Sequence, residues 1–276
     1  MDKALKSRIK QRYFEVHEKL KSLPAAREEI MHVLGIAAAV NSSAMAHPRI
    51  DRTFLQQAID RSADRRWEKI SSEYSRAMVE TRALYRTMEA FEETALTART
   101  LTLTFLLQQH RNVFERTRYN LAGRLRAENG HETTPAGLPP PHPSKLPELI
   151  EHHLAWLNHR LKIFGAAKPD SFFEIFHIAA EAQYRLVGCM PFDVGNQRLG
   201  RMVSDYVLLY SGLFWNLIRA DRRREYSDAL KTSSVESLTP LVGFLIGSFG
   251  DTLDRIGGFL RLAQTRNERE FFRNFS

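Results

Sequence analysis

One loop of the chain combines residue types that bind phosphate. It extends from Met190 to Arg201 and leads directly into an apolar helical run. Gly195 and Asn196 tolerate left-handed backbone geometry, so consecutive amides can turn inward around an anion. Arg198 and Arg201 are three residues apart, so both can reach the start of that helix, where free N–H groups and the helix dipole also attract negative charge. The loop therefore predicts a polyphosphate site.

The order of residues in this loop resembles the signature loop of the Fic/Doc (Fido) family, His-Pro-Phe-x-Asp/Glu-Gly-Asn-Gly-Arg-x-x-Arg. The matching positions are Pro191, Phe192, Gly195, Asn196, Arg198 and Arg201. The resemblance implies that Pro191 and Phe192 pack the motif loop against the core. It also implies nucleotide or phosphate binding, with ATP or another nucleotide as the ligand, by the remaining four together with Gln197.

Three positions depart from the family loop. Met190 replaces the histidine that deprotonates the target hydroxyl, Val194 replaces the metal-binding carboxylate, and Gln197 replaces the second glycine. Methionine cannot accept a proton and valine cannot hold Mg²⁺, while Asp193 lies one place before the acidic position. Gln197 is expected either to block the anion site or to donate one more hydrogen bond to it. We therefore expect no catalytic residue, no metal ligand and no Mg²⁺ in this loop.

The flanking segments extend the resemblance to about residues 95–250. Residues 182–186 compare with Ala-His-x-x-Phe, with Gln183 at the histidine, and residues 224–230 resemble Tyr-x-x-Ala-Leu. Residues 146–157 look like the helix after the family's substrate-docking hairpin. The resemblance implies an N-terminal helical region at 1–94, a Fic-like core at 95–250 with the motif loop at 190–201, and a C-terminal helical extension at 251–276.

Apolar residues recur at three- and four-residue spacings along most of the chain, which predicts an all-α fold. The predicted helices are Ile9–Leu23, Arg27–Val40, Asp51–Ala63, Trp67–Phe91, Ala98–Phe114, Leu146–Phe164, Ser171–Val187, Leu199–Trp215, Arg222–Lys231 and Leu238–Leu260. Residues 118–147 are the exception, because their glycines and prolines break a helix. In the family this region is a short β-hairpin, the flap, which pairs with the backbone of a target protein. The resemblance thus implies a Fic-type helical bundle with a strand at Tyr119–Arg126 and an unknown protein partner.

A second family motif, Ser-x-x-x-Glu-Gly, compares with Ser42–His47. Ser42 matches the serine, whereas Ala46 stands at the glutamate and His47 at the glycine. In the family, that glutamate pairs with the second loop arginine and keeps ATP in an unproductive pose. The resemblance implies a degenerate inhibitory helix near residues 30–47 that cannot form the salt bridge to Arg201. The alternative is an Ala-rich helix that merely ends before Pro48.

Other residues with reactive side chains have simpler explanations. His47, His152, His153 and His177 are candidates for a replacement base, but we expect most of them to be helix-face or core histidines. Cys189 is the only cysteine, which excludes an internal disulfide and suits a reducing compartment. It is either a thiol nucleophile or, as we expect, a small buried residue at a helix end.

Composition narrows the class of protein. The 276 residues are 43% hydrophobic, enough for a sizeable core, and their formal charge is +8. The basic cluster of Arg219 and Arg222–Arg224 either deepens a positive basin near the loop or forms a solvated helix face. No aromatic-interleaved basic motif is present, which disfavours nucleic acid. The apolar run Leu238–Phe249 predicts a core helix rather than a membrane span, so we expect a cytoplasmic protein, although secretion through a bacterial effector apparatus leaves no signal peptide.

Three functions fit these observations. The first is a catalytically impaired pseudo-AMPylase that acts as a nucleotide-binding, phosphate-binding or protein-interaction module. The second is an active protein adenylyltransferase, or a related phosphate-group transferase, that modifies a protein hydroxyl by a non-standard mechanism. The third is an interaction protein with a vestigial pocket. Loss of a positioned general base alone lowers a rate by about 10²- to 10⁴-fold, which favours the first.

Overall fold

The computed structural model describes residues 2–60, 72–129 and 133–265, and within these ranges it is helical with no β-strand. The helices are α1 (Lys3–Lys21), α2 (Pro24–Ala46), α3 (Arg52–Asp60), α4 (Ser72–Leu96), α5 (Leu103–Phe114), α6 (Leu146–Phe164), α7 (Phe172–Cys189), α8 (Asn196–Tyr210), α9 (Arg223–Thr232) and α10 (Thr239–Thr265). The predicted all-α fold is confirmed. Parts of the predicted helices Asp51–Ala63 and Trp67–Phe91, and residues 266–276 of the predicted C-terminal extension, lie outside the described residues.

Local sequence accounts for several helix ends. Asp2 caps α1 by accepting a hydrogen bond from the Ala4 N–H at 3.1 Å. α2 begins at Pro24, where a missing N–H costs nothing, and α6 ends at Gly165, which has a φ of +46°. α6 has the bounds of the predicted helix Leu146–Phe164, whereas α2 begins three residues before the predicted start at Arg27.

α8 lies at the centre of the core, between α7 and α4, and nearly all of its residues are buried. Gly200 allows α7 to approach closely, because a Cβ at this position would lie 2.6 Å from Val187 Cγ2. On the far side of α7, Phe172 and Phe176 pack against Phe249 of α10 and join these helices to α1 through Tyr13. Each fully buried ring of this kind stabilises the fold by about 1.5–3 kcal/mol. The motif arginines therefore lie on a helix that is buried in the core.

The predicted helix Leu199–Trp215 is wrong at both ends. α8 already begins at Asn196, and beyond Tyr210 the chain turns at Gly212, which has a φ of +82°. Trp215 lies in an irregular segment that is nonetheless fully buried. The apolar pattern continues past the helix because the whole segment is in the core, and periodicity alone cannot separate the two cases.

The structure also differs from the predicted strand at Tyr119–Arg126. The chain there forms successive turns, with the Ala122 N–H donating to Arg118 O at 3.0 Å and Gly123 at a φ of +68°. Residues 130–132 lie outside the described part, and the other residues of 118–147 contain no strand. The Arg126 N–H donates to Pro191 O at 2.9 Å, so this backbone pairs with the motif loop rather than with a second strand.

Among the described helices, α2 is long and apolar enough to cross a membrane by length and composition. Its most apolar window is 67% buried inside the protein, which is typical of a core helix. The apolar run Leu238–Phe249, by contrast, lies in α10 except for Leu238, which immediately precedes that helix.

Candidate phosphate-binding site

The loop between α7 and α8 is held in a tight turn by its own residues. Met190 ends α7 in the left-handed conformation with a φ of +43°, and Gly195 precedes α8 with a φ of +81°. The Asn196 side chain accepts from the Phe192 N–H at 3.0 Å and donates to Phe192 O at 2.7 Å. The first bond within α8 runs from the Leu199 N–H to Gly195 O, so the N–H groups of residues 196–198 remain available for an anion.

His110 of α5 holds the loop through a hydrogen bond to Val194 and ring stacking on Phe192. Its Nδ1 accepts from the Gly123 N–H at 2.9 Å, which places the ring proton on Nε2 for donation to Val194 O at 3.0 Å. The ring stacks on Phe192 with 3.8 Å between centroids. Burial lowers the pKa of His110 to about 4, so the ring stays neutral in this role. His110 is not predicted from the sequence, because no spacing connects it to the loop.

Arg126 fixes the start of the loop. Its buried side chain donates to Met190 O at 2.8 Å, to Glu128 O at 3.0 Å and to Pro141 O. A single arginine thereby joins the motif loop to two parts of the region 118–147. Met190 itself is half-buried at the cavity wall, with its carbonyl oxygen engaged by Arg126.

Arg198 is paired with a buried carboxylate from α4. Its Nη1 lies 2.7 Å from Glu80 Oε2, and its guanidinium lies 4.8 Å above the centre of the Phe114 ring. Glu80 is 0% exposed, and Thr117 Oγ1 donates to it at 3.1 Å. Burial alone would raise the pKa of Glu80, but the hydrogen bond from His47 and the charge of Arg198 lower it to about 2. Arg198 thus faces an ionised partner inside the protein.

Arg201 has a neutral partner instead. Its Nε and Nη2 donate to Ser42 Oγ at 3.1 and 2.8 Å, and Nη2 also lies 3.3 Å from Ser42 O. The guanidinium lies 5.5 Å from the centre of the Tyr226 ring. Ala46, one turn further along α2, contributes a methyl group to the cavity wall. The helix that carries the degenerate motif therefore lies beside the loop, with its serine on the second loop arginine.

A cavity of about 430 Å³ opens in front of the loop, which is a volume suited to a small ligand. Its walls include the cations Arg118, Arg198, Arg201 and Lys231. Gln197 lines the cavity and is exposed. The described lining residues include no histidine. The cavity is therefore basic and has no imidazole base on its described wall.

The oxygen ligands at this cavity do not fit a tightly held Mg²⁺, which needs several of them. Val194 offers only its carbonyl oxygen, and this oxygen already accepts from His110. The carboxylate on the described cavity wall belongs to Asp193, whose residue is exposed. Nowhere in the described chain do three or more His, Cys, Asp or Glu side chains cluster as a metal site.

The candidate replacement bases lie elsewhere. His153 is buried and hydrogen-bonds to Ala182 O at 3.0 Å, while His152 and His177 are exposed and do not line the cavity. His47 lies 3.1 Å from Glu80 behind the cavity wall. None of the four contacts the space in front of the loop. Their positions are those of helix-face and core histidines, as expected for most of them.

Cys189 has the surroundings of a packed residue. It is half-buried against the apolar core, and burial raises the pKa of its thiol. A nucleophilic cysteine needs a lowered pKa. The structural interpretation of Cys189 is therefore the better one.

The basic cluster does not extend the cavity. Arg219 pairs with Asp221, and Arg222 pairs with Glu225 and Asp251, so acids on the same surface neutralise both arginines. None of the residues 219 and 222–224 lines the cavity. Arg118 and Lys231, which sequence reasoning missed, supply the additional positive charge instead.

Asp205 is expected to make stability depend on pH. It lies one turn beyond Arg201 and accepts from the Asn216 N–H at 3.1 Å. Burial raises its pKa from 3.8 to about 7 despite this hydrogen bond and Arg201. Between these two values the folded state holds a proton that the unfolded state has lost, so the contribution of Asp205 to stability falls as pH rises and levels off above about 7.

Asp205→Asn removes this titration while keeping the acceptor oxygen. From pH 4 to 7, we expect the stability of the variant relative to the wild type to rise by up to about 1.4 kcal/mol per pH unit. Urea unfolding of both proteins at each pH measures the difference, in which the contributions of all other groups cancel. A difference that is constant with pH would contradict the shifted pKa.

Known proteins share both the sequence and the shape of this region. The sequence profile of the Fic/DOC family matches residues 100–208. The protein adenylyltransferase Fic of Aedes aegypti is 29% identical over 154 residues, which are 56% of this chain and 29% of that protein. The protein of the same name from Culex quinquefasciatus is also 29% identical, with the same coverage. The chain therefore spans less than a third of the length of these relatives.

Two solved structures share the fold. A Fic domain containing signaling protein from Bacteroides thetaiotaomicron superimposes with a TM-score of 0.72 at 17% identity, covering 89% of this chain and 95% of its own. Fic-1 from C. elegans also gives a TM-score of 0.72 at 19% identity, covering 94% of this chain and 74% of the solved one. At such identities the likeness concerns the fold alone.

Proposed function

This chain belongs to the Fic/DOC family, and from that premise we propose that it is a catalytically impaired member, a pseudo-AMPylase that binds a nucleotide or another phosphate ligand. The observation that carries the proposal is the contrast within one cavity. Its walls keep four cations beside a helix N-terminus, while Met190 stands where the family has its base. Such a site has the charge to bind phosphate without the group that would deprotonate a hydroxyl.

The proposed ligand contacts follow from the groups that face the cavity. The N–H groups at the start of α8, after Gly195, donate hydrogen bonds to one phosphate group. Arg201, oriented by Ser42, supplies one positive charge, and Lys231 supplies a second from α9. Gln197, exposed at the cavity, donates a further hydrogen bond instead of blocking the site. We propose metal-free binding, because Val194 provides no carboxylate.

Arg201→Ala is expected to weaken the binding of adenine nucleotides at least tenfold, because it removes a cavity cation whose hydrogen-bond partner, Ser42, is neutral. Titration calorimetry with ATP, ADP and AMP, with and without Mg²⁺, measures this loss. Arg160→Ala is the matched control, since Arg160 pairs with Glu174 and does not line the cavity. Equal affinity in both variants and the wild type, or no heat with any nucleotide, would overturn the proposed function.

Transferase activity is the outcome that would favour the second function. Labelled ATP incubated with this protein and candidate targets is expected to leave no label on protein. Label that appears, and disappears in Arg201→Ala, would establish an active adenylyltransferase. The triple variant Met190→His, Val194→Asp and Gln197→Gly restores the family loop, and we expect it to gain self-modification if the cavity is otherwise intact.

The remaining proposals concern partners and organisation. We propose that residues 118–147 contact a protein target, since Tyr119 and Leu138 are exposed there. The division into residues 1–94, 95–250 and 251–276 is likewise a proposal, as is a cytoplasmic location. Pull-down with a chain that lacks the exposed side chains of Tyr119 and Leu138 tests the first of these.

A further inference from the structure

We infer that this cavity selects a ligand with a single phosphate group, a phosphate monoester such as a nucleoside monophosphate, because Glu80 takes the place of further phosphates. The inference rests on the proposed function and narrows its ligand class. It depends on the different partners of the two loop arginines.

Glu80 is bound in the way that a protein binds an anion. Its Oε2 lies 2.7 Å from Arg198 Nη1 and 3.1 Å from His47 Nε2, and its Oε1 lies 3.1 Å from Thr117 Oγ1. Arg118 Nε also lies near Oε1, at a distance of 3.7 Å. The carboxylate thus engages donors on both oxygens, from the loop, α2 and the segment after α5. The anion subsite at Arg198 is already filled by the protein itself.

Displacing Glu80 would be unfavourable. The carboxylate is 0% exposed, so it has no water as a substitute partner. A second or third phosphate that took Arg198 would leave Glu80 as a buried charge without its main partner, which is strongly destabilising. We therefore place the one ligand phosphate away from Arg198.

Arg201 and Lys231 remain for that phosphate. Arg201 is held by the hydroxyl and carbonyl of Ser42, which orient the guanidinium without cancelling its charge. Lys231 reaches the same cavity from α9. Together with the free N–H groups of residues 196–198, they form one phosphate subsite. This subsite is separate from Arg198, whose charge Glu80 already neutralises.

The net positive charge of the cavity is close in magnitude to the negative charge of a single phosphate group. Its described walls carry the cations Arg118, Arg198, Arg201 and Lys231, and the carboxylates that oppose them are Asp193 on the wall and Glu80 behind it. Four positive charges less two negative charges leave a net charge of +2 while Asp205, which interacts with Arg201, is protonated, and of +1 when Asp205 is ionised. A phosphate monoester carries about −1.5 to −2 at pH 7, whereas a triphosphate carries roughly twice as much. Without Mg²⁺, the excess charge of a triphosphate stays uncompensated.

Titration calorimetry with AMP, ADP, ATP and adenosine in EDTA tests the inference. In the wild type we expect AMP to bind at least fivefold more tightly than ATP, with ADP between them and adenosine weakest. In Glu80→Gln, which keeps the shape and removes the charge, we expect ATP to gain at least tenfold and AMP less than threefold. Glu18→Gln is the control, because Glu18 is an exposed acid on α1 and should leave the order unchanged.

The outcomes distinguish a failure of the single-phosphate inference from a failure of the proposed function. ATP binding more tightly than AMP in the wild type would overturn this inference while leaving phosphate binding intact. Equal gains for AMP and ATP in Glu80→Gln would also overturn it, since Glu80 would then not act on the outer phosphates. No binding of any nucleotide would remove the proposed function itself. If Glu80→Gln shows no cooperative thermal unfolding, the wild-type series alone decides.

Discussion

Replacing Glu80 with alanine is expected to destabilise the fold by about 3–5 kcal/mol. The change leaves the buried guanidinium of Arg198 without its carboxylate, and a buried charge that has lost its partner is among the most costly single defects in a protein. Urea unfolding at pH 7 measures the loss. Because the pKa of Glu80 is lowered to about 2, its stabilising contribution is fully present above pH 4.5 and is lost as pH falls toward 2.

Two comparisons show whether the buried pair is the cause. Glu18→Ala removes an acid that is 65% exposed and paired with Lys21, so no measurable change in stability is expected. The double variant Glu80→Met with Arg198→Met removes both charges and is expected to recover most of the loss, since apolar groups can replace a buried ion pair. A double variant as unstable as the sum of the two single changes would contradict the coupling of Glu80 and Arg198.

The sequence predicted the loop far better than the partners of its arginines. Gly195, Asn196, Arg198 and Arg201 lie close together in the chain, so their types and spacing alone bring them to one helix end. Glu80 precedes Arg198 by 118 residues, and within α4 it has no local feature that separates it from a surface glutamate. Only the packing of α4 on α8 brings the two together.

Helices were predicted well where one face meets water and less well where the chain is buried on all sides. The segment around Trp215 continues the apolar pattern of α8 after the helix has ended, because it is surrounded by core residues. The turns at Tyr119–Arg126 depend on Gly123 and on the contact between Arg126 and the motif loop, and neither follows from local alternation. Long-range contacts decided both cases.

The two loop arginines end up with different roles because different helices contact them. α4 gives Arg198 a charged partner, and α2 gives Arg201 a neutral one. The protein itself therefore neutralises the charge of Arg198, and we propose that Arg201 is the loop arginine that binds the ligand. We propose that the loop in this way binds phosphate although Met190 and Val194 replace the family's base and metal ligand.

Gly195→Ala is expected to be the most damaging change within the loop, at about 2–5 kcal/mol, the sum of about 1–2 for a left-handed residue with a Cβ and about 1–3 for overpacking. At its φ of +81°, the new Cβ would lie 2.6 Å from Cε2 and 2.7 Å from Cζ of Phe114. Phe114 lies beneath the guanidinium of Arg198, so moving the ring also disturbs the pair with Glu80.

Gly137→Ala separates backbone strain from the clash. Gly137 has a similar φ of +75°, but a Cβ there would meet nothing within 4 Å. We expect this control to cost only the strain of about 1–2 kcal/mol. Urea unfolding of the two variants gives the difference directly, and AMP titration of Gly195→Ala is expected to show weaker binding as well. Equal losses of stability would mean that Phe114 yields without cost, and the loop would then depend on glycine for its backbone geometry alone.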